Sequence, residues 1–108
     1  MRRATSRLLE ALGFEVRVAE DGLDAEAQLS AWGAAEVVLL DVMMPGRPAA
    51  ETFAALRRVR PGIPVIICSG YAPEEVATRL LSEPQVAHLQ KPFSRAQLGE
   101  AIASLLRR

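Results

Sequence analysis

Apolar residues recur along this chain with two different periods, and the periods take turns. Residues 2–12 carry Ala4, Leu8, Ala11 and Leu12 at helical spacing, with Gly13 following as a C-cap. FEVRVA then sets Phe14, Val16 and Val18 against Glu15 and Arg17, the period of a strand with one wet face, as at a sheet edge. Asp21-Gly22 turns the chain into a helix with Leu23, Ala27 and Ala31 inward, ending near Gly33. Residues 37–40 are a continuous apolar run, which predicts a strand covered on both faces. Pro45, Gly46 and Pro48 make a loop, and Ala49, Phe53, Leu56 and Val59 mark the next helix, which Pro61-Gly62 stops. A second continuous strand spans 64–68. Pro73, followed by Glu74 and Glu75, opens a helix to about Leu81 that Glu83-Pro84 ends. Residues 86–89 form a short last strand. Ser94 then caps a helix that turns Leu98, Ala101, Ile102 and Leu105 inward. The order α-β-α-β-α-β-α-β-α predicts one α/β domain over residues 1–108, with four parallel strands and helices on both faces.

Composition narrows the function. Half the residues are hydrophobic, which excludes disorder. Lys+Arg and Asp+Glu are 13 each, so no net positive field draws the chain to nucleic acid or anionic membrane. Arg2, Arg3, Arg7, Arg107 and Arg108 read as solvated helix faces. The single cysteine, Cys68, sits inside an apolar strand and reads as a small core residue. With no signal peptide and no apolar run near the ~20 residues of a membrane span, the expected location is the cytoplasm.

Three polar residues stand at or just beyond the C-terminal ends of apolar strands: Asp41 after VVLL, Ser69 after PVIIC, and Lys91 before Pro92. In an open parallel sheet that edge is where ligands collect. A carboxylate, a hydroxyl and an ammonium gathered there suit phosphoryl transfer to an aspartate, a reaction that needs positioned positive charge more than covalent help. A small α/β enzyme is disfavoured, since the chain carries no Gly-rich phosphate loop, nucleophile elbow or metal-ligand cluster.

The runs VVLLDVMMPG at 37–46, PVIICSGY at 64–71 and LQKPF at 89–93 resemble the receiver domain of bacterial two-component signalling. The likeness covers the whole chain, with 28 residues from Asp41 to Ser69 and 22 from Ser69 to Lys91. The SGY and LQKPF wording is similar to receivers attached to hybrid histidine kinases. The resemblance implies a flavodoxin-like, doubly wound fold and a phosphorelay function without enzymatic turnover of its own. It implies that Asp41 accepts a phosphoryl group from a sensor histidine kinase or phosphotransfer domain. Ser69 and Lys91 would bind the phosphoryl oxygens, and His88 takes the position of the switch aromatic. It further implies Mg2+, with Asp41 and the Met43 backbone carbonyl as ligands, and hydrolysis tuned by Met43 and Tyr71.

One departure is large. A receiver begins with an apolar strand ending in two acidic residues that bind magnesium, whereas Met1-Arg2-Arg3 already reads as the following helix. The expectation is therefore a receiver lacking its first, central strand, with a gap between 14–18 and 37–40. Either 14–18 moves over to close the gap or a second chain fills it, so self-association is expected, with poor metal binding. A degenerate receiver acting as a phosphate-independent interaction module is the alternative.

Overall fold

The two uninterrupted apolar runs form adjacent strands, and the rest of the chain packs on them. The computed structural model describes residues 2–19, 21–41, 48–69, 80 and 82–106. Along them run α1 (Arg2–Ala11), α2 (Gly22–Ala31), β1 (Val38–Asp41), α3 (Ala49–Val59), β2 (Val65–Ser69), β3 (Val86–Gln90) and α4 (Arg95–Leu106). The strands make one parallel sheet in the order β1-β2-β3. Apart from Leu80, which is buried in the core, the helix expected over 73–81 lies outside the described residues, as does the loop over Pro45 and Gly46.

Strand β2 is buried along its whole length because it is paired on both edges and covered on both faces. Its side chains alternate between two cores. Val65 and Ile67 join Leu29, Leu40, Phe53 and Leu56 under α2 and α3. Ile66 and Cys68 join Leu98, Ile102 and Leu105 of α4, with Leu8 and Leu9 of α1 packed alongside. Uninterrupted hydrophobicity is what a strand between two helical layers requires.

Local chemistry sets the helix ends. Gly13 takes φ +94° after α1, the left-handed conformation that glycine reaches without strain. Asp21 caps α2 by accepting a hydrogen bond from the Asp24 N–H at 2.8 Å. Ser94 and Gln97 cap α4 reciprocally: the Gln97 N–H donates to Ser94 Oγ at 3.1 Å and the Ser94 N–H to Gln97 Oε1 at 2.8 Å. Two arginines tie loops to α3. Arg57 donates to the carbonyls of Ile63, Pro84 and Gln85, and Arg60 to those of Trp32 and Ala35.

Two expectations are corrected here. Residues 14–18 are extended, yet they join no ladder, so the described sheet has three strands rather than four. Alternating polarity suits a half-buried strand, but a strand also needs a partner for its backbone, and here none stands alongside. The segment is held instead from the α2 side: Gln28 Nε2 donates to the Val18 carbonyl at 2.7 Å, and Arg17 lies 4.4 Å over the Trp32 ring. The second correction concerns α2. Leu23, Ala27 and Ala31 face solvent, Leu23 at 64% exposure, while Gly22 and Leu29 are buried and Ala25 packs against the core. Small apolar residues lie all around this helix, so its pattern did not single out a face, and Leu29 settles the rotation.

The gap between 14–18 and β1 stays open. It is a slot of about 400 Å³ lined by residues 14–19 on one side and 36–41 on the other. Beside it Val37, Leu39 and Leu8 are only half-buried and Leu12 is 36% exposed.

Candidate functional site

Ladder register delivers the site residues to one edge. Asp41 is the last residue of β1 and pairs with Cys68, while Ser69, the last residue of β2, pairs with Gln90. Lys91 follows β3 directly, and its backbone N–H donates to the Ser69 carbonyl at 2.7 Å. That bond extends the β2–β3 ladder by one step and anchors Lys91 beside Ser69. The Lys91–Pro92 peptide is cis.

Side chains complete the arrangement. Lys91 Nζ lies 2.5 Å from Asp41 Oδ2, a charge-assisted hydrogen bond across two strands. The Asp41 side chain remains about a third exposed, at 32%, so a carboxylate oxygen can still be approached from solvent. Ser69 is fully buried, and its Oγ lies 2.5 Å from His88 Nε2. His88 is half-buried two residues before Gln90, the register partner of Ser69, on the face of the sheet that also holds Val86. The sequence placed His88 near the switch but not in contact with Ser69. The signal was its even spacing from Gln90, legible only once the register was known.

The structure therefore brings Asp41, Lys91, Ser69 and His88 to one strand edge. Met43 and Tyr71 lie outside the described residues. Burial first, and the Asp41 carboxylate second, push the Cys68 thiol up to about 12 against the opposing effect of Lys91. A protonated, enclosed thiol fits a core role rather than a nucleophile.

Magnesium requires several oxygen ligands, commonly carboxylates with waters and phosphate. Among the described residues no group of three His, Cys, Asp or Glu side chains could hold a metal ion. The carboxylate at this edge, Asp41, is already held by Lys91. The described residues at this edge do not by themselves fit the ion.

The described residues thus form a parallel α/β sheet with an acid, a hydroxyl and an ammonium at its C-terminal edge. The chain matches the response regulator receiver domain over residues 1–103 and belongs to that family. It is 33% identical over 101 residues to the sensor kinase CckA of Brucella abortus, covering 93% of this chain and 11% of the relative. It is 38% identical over 105 residues to a CpxR homolog, a transcriptional regulatory protein of Haemophilus influenzae, covering 95% of this chain and 44% of the relative. The chain thus spans less than half the length of either. The crystal structure of a CheY-like receiver from Methanospirillum hungatei superposes with a TM-score of 0.85 at 27% identity, over 97% of this chain and 83% of that one. Receiver domains are signalling modules of two-component systems, and the relatives include both response regulators and a sensor kinase. Among the described residues no helix is long and apolar enough to cross a membrane.

Proposed function

We propose that this chain is a phosphoacceptor module of a two-component relay, with Asp41 as the acceptor. The observation that carries the reading is the Lys91–Asp41 contact at the sheet edge, with Ser69 held on the adjacent strand. In this reading an Asp41 oxygen attacks the phosphorus of a phosphohistidine on a kinase or phosphotransfer domain. The P–N bond breaks, its electron pair stays on the imidazole nitrogen, and an acyl phosphate forms on Asp41. Lys91, displaced from the free carboxylate, pairs with a phosphoryl oxygen and offsets the developing charge. Ser69 donates its hydroxyl to another once it leaves His88. Met43 and Tyr71 belong to the same proposal as shields against attacking water, and phosphoaspartate lifetimes of Met43→Ala and Tyr71→Ala variants check them.

One observation favours a second reading, a receiver that binds partners without phosphate. The Asp41 carboxylate is paired with Lys91, and the sheet beside it is open. Labelling with a phosphorylated histidine kinase separates the two. The phosphoacceptor reading expects base-labile label on the chain and none on Asp41→Asn, since the amide removes the nucleophile. Label that persists on Asp41→Asn, or none on the parent chain with any donor kinase, contradicts it.

A further inference from the structure

Ser69 Oγ lies 2.5 Å from His88 Nε2, and the ladder holds both ends of that contact. Ser69 pairs with Gln90 and its carbonyl accepts the Lys91 N–H at 2.7 Å, while His88 pairs with Ile67. The Ser69 side chain is fully buried, so the imidazole rather than bulk water serves its hydroxyl. A hydroxyl has one hydrogen to give, and the contact therefore has two forms. With Nε2 bare, Ser69 donates to it and its hydrogen is committed. With Nε2 protonated, the imidazole donates, Ser69 Oγ accepts, and the hydroxyl hydrogen can turn elsewhere.

A phosphoryl oxygen on Asp41 selects between these forms. It is an acceptor, so Ser69 can serve it only as a donor, which the second form alone allows. A phenyl ring at position 88 could neither give nor take a proton. Histidine does both, and it changes charge between about pH 5 and 8.

Little charge in the described elements competes for the ring. Strand β3 packs against β2 and α4. On the face that holds His88, β2 offers Val65, Ile67 and Ser69. Helix α4, with Arg95 and Glu100, lies against the opposite face beside Ala87 and Leu89. Arg57 is bound to the carbonyls of Pro84 and Gln85 at the far end of β3, and Lys91 is paired with Asp41. Glu74, Glu75 and Arg79 lie outside the described residues.

We propose that His88 is a positioning residue for phosphoryl transfer: it holds the Ser69 hydroxyl as an acceptor in the free chain and, by taking a proton at Nε2, releases that hydroxyl to a phosphoryl oxygen on Asp41. The proton comes from solvent, which the half-buried ring reaches, and returns to it when the phosphoryl group leaves. Anion on Asp41 and proton on His88 then favour each other through the hydroxyl, and the coupling is reciprocal. The proposal rests on Asp41 being the acceptor.

His88 is the only histidine of the chain, so its ring nitrogens can be followed by NMR without ambiguity. In the unlabelled chain at high pH, Nε2 should be bare. After labelling by a phosphorylated kinase, the ring should titrate about one pH unit higher, a tenfold coupling. Ser69→Ala, labelled likewise, should lose most of that displacement. A competition reads the same coupling in function. Parent chain and His88→Gln, whose amide does not titrate, share one limiting phosphohistidine donor, and mass spectrometry reads the label on each. The parent's share relative to the variant should fall about tenfold between about pH 5.5 and 8.5, because it alone binds a proton with the phosphoryl group. The NMR titration of the parent decides the matter should the glutamine variant fail to fold. A chain that takes no label fails as a phosphoacceptor, and the proposal falls with that reading. A labelled chain whose His88 titrates as before, or a displacement that survives Ser69→Ala, overturns the proposal alone.

Discussion

The sheet has a closed half and an open half. Around β2 the ladder positions from Val65 to Cys68 are paired on both edges and both faces are covered, and Val65, Ile66 and Ile67 are wholly buried. Around β1 and residues 14–18, apolar side chains instead leave a slot, are only half-buried, and flank an edge with no strand beside it among the described residues. The difference is not one of composition, since VVLL is as apolar as VIIC. A strand is buried along its whole length only when both neighbours are present, so pairing rather than hydrophobicity separates β2 from β1. The candidate site sits on the seam. Ser69 and His88 belong to the closed half, Asp41 ends the last strand before the open one, and Lys91 joins them.

Truncation in the two halves should give the largest contrast. Ile66→Ala, at a fully buried position, should cost ~2–5 kcal/mol by leaving a cavity. Val16→Ala, on the slot wall, should cost less than ~1 kcal/mol because its surroundings are already open. Urea denaturation of both measures the difference, and equal losses would mean the slot is filled in solution.

Arg57 comes next. Its guanidinium donates to three backbone carbonyls and so ties α3 to the turn before β3. Arg57→Met removes the guanidinium, which also lies 4.7 Å over the Phe53 ring, and strands those acceptors, at ~1–3 kcal/mol by the same denaturation. A neutral result would show the clamp to be solvated.

The smallest effect is a pH dependence at Cys68. Its thiol is raised from 9.0 to about 12 in the fold, so the unfolded chain releases this proton first as pH rises. The stability is complete below pH 9.0 and is lost progressively between there and about pH 12. Cys68→Val should flatten that part of the stability profile, which thermal melts across the range would record. An unchanged profile would place the loss elsewhere.

Much of the closed half was legible in the sequence. Continuous apolar runs marked β1 and β2, and the faces of α3 and α4 followed from Phe53, Leu56, Leu98, Ile102 and Leu105. Asp41, Ser69 and Lys91 were legible because each stands at the end of such a run. What the sequence misjudged lies where a pattern had no partner to act on. FEVRV alternates like an edge strand but meets no ladder, and α2 offered several faces of small apolar residues. The Ser69–His88 contact depended on a register that no single segment encodes.

Native-state hydrogen exchange, resolved residue by residue along β1, tests the open edge most directly. The amides of Val38 and Leu40 face β2 and should be protected together with those of β2, whereas Val37 and Leu39 should exchange far faster. Such alternation within one strand is the mark of an edge paired on one side only. Uniform protection from Val37 to Leu40 would contradict it, showing that residues 14–18 or another chain already occupy the place beside β1.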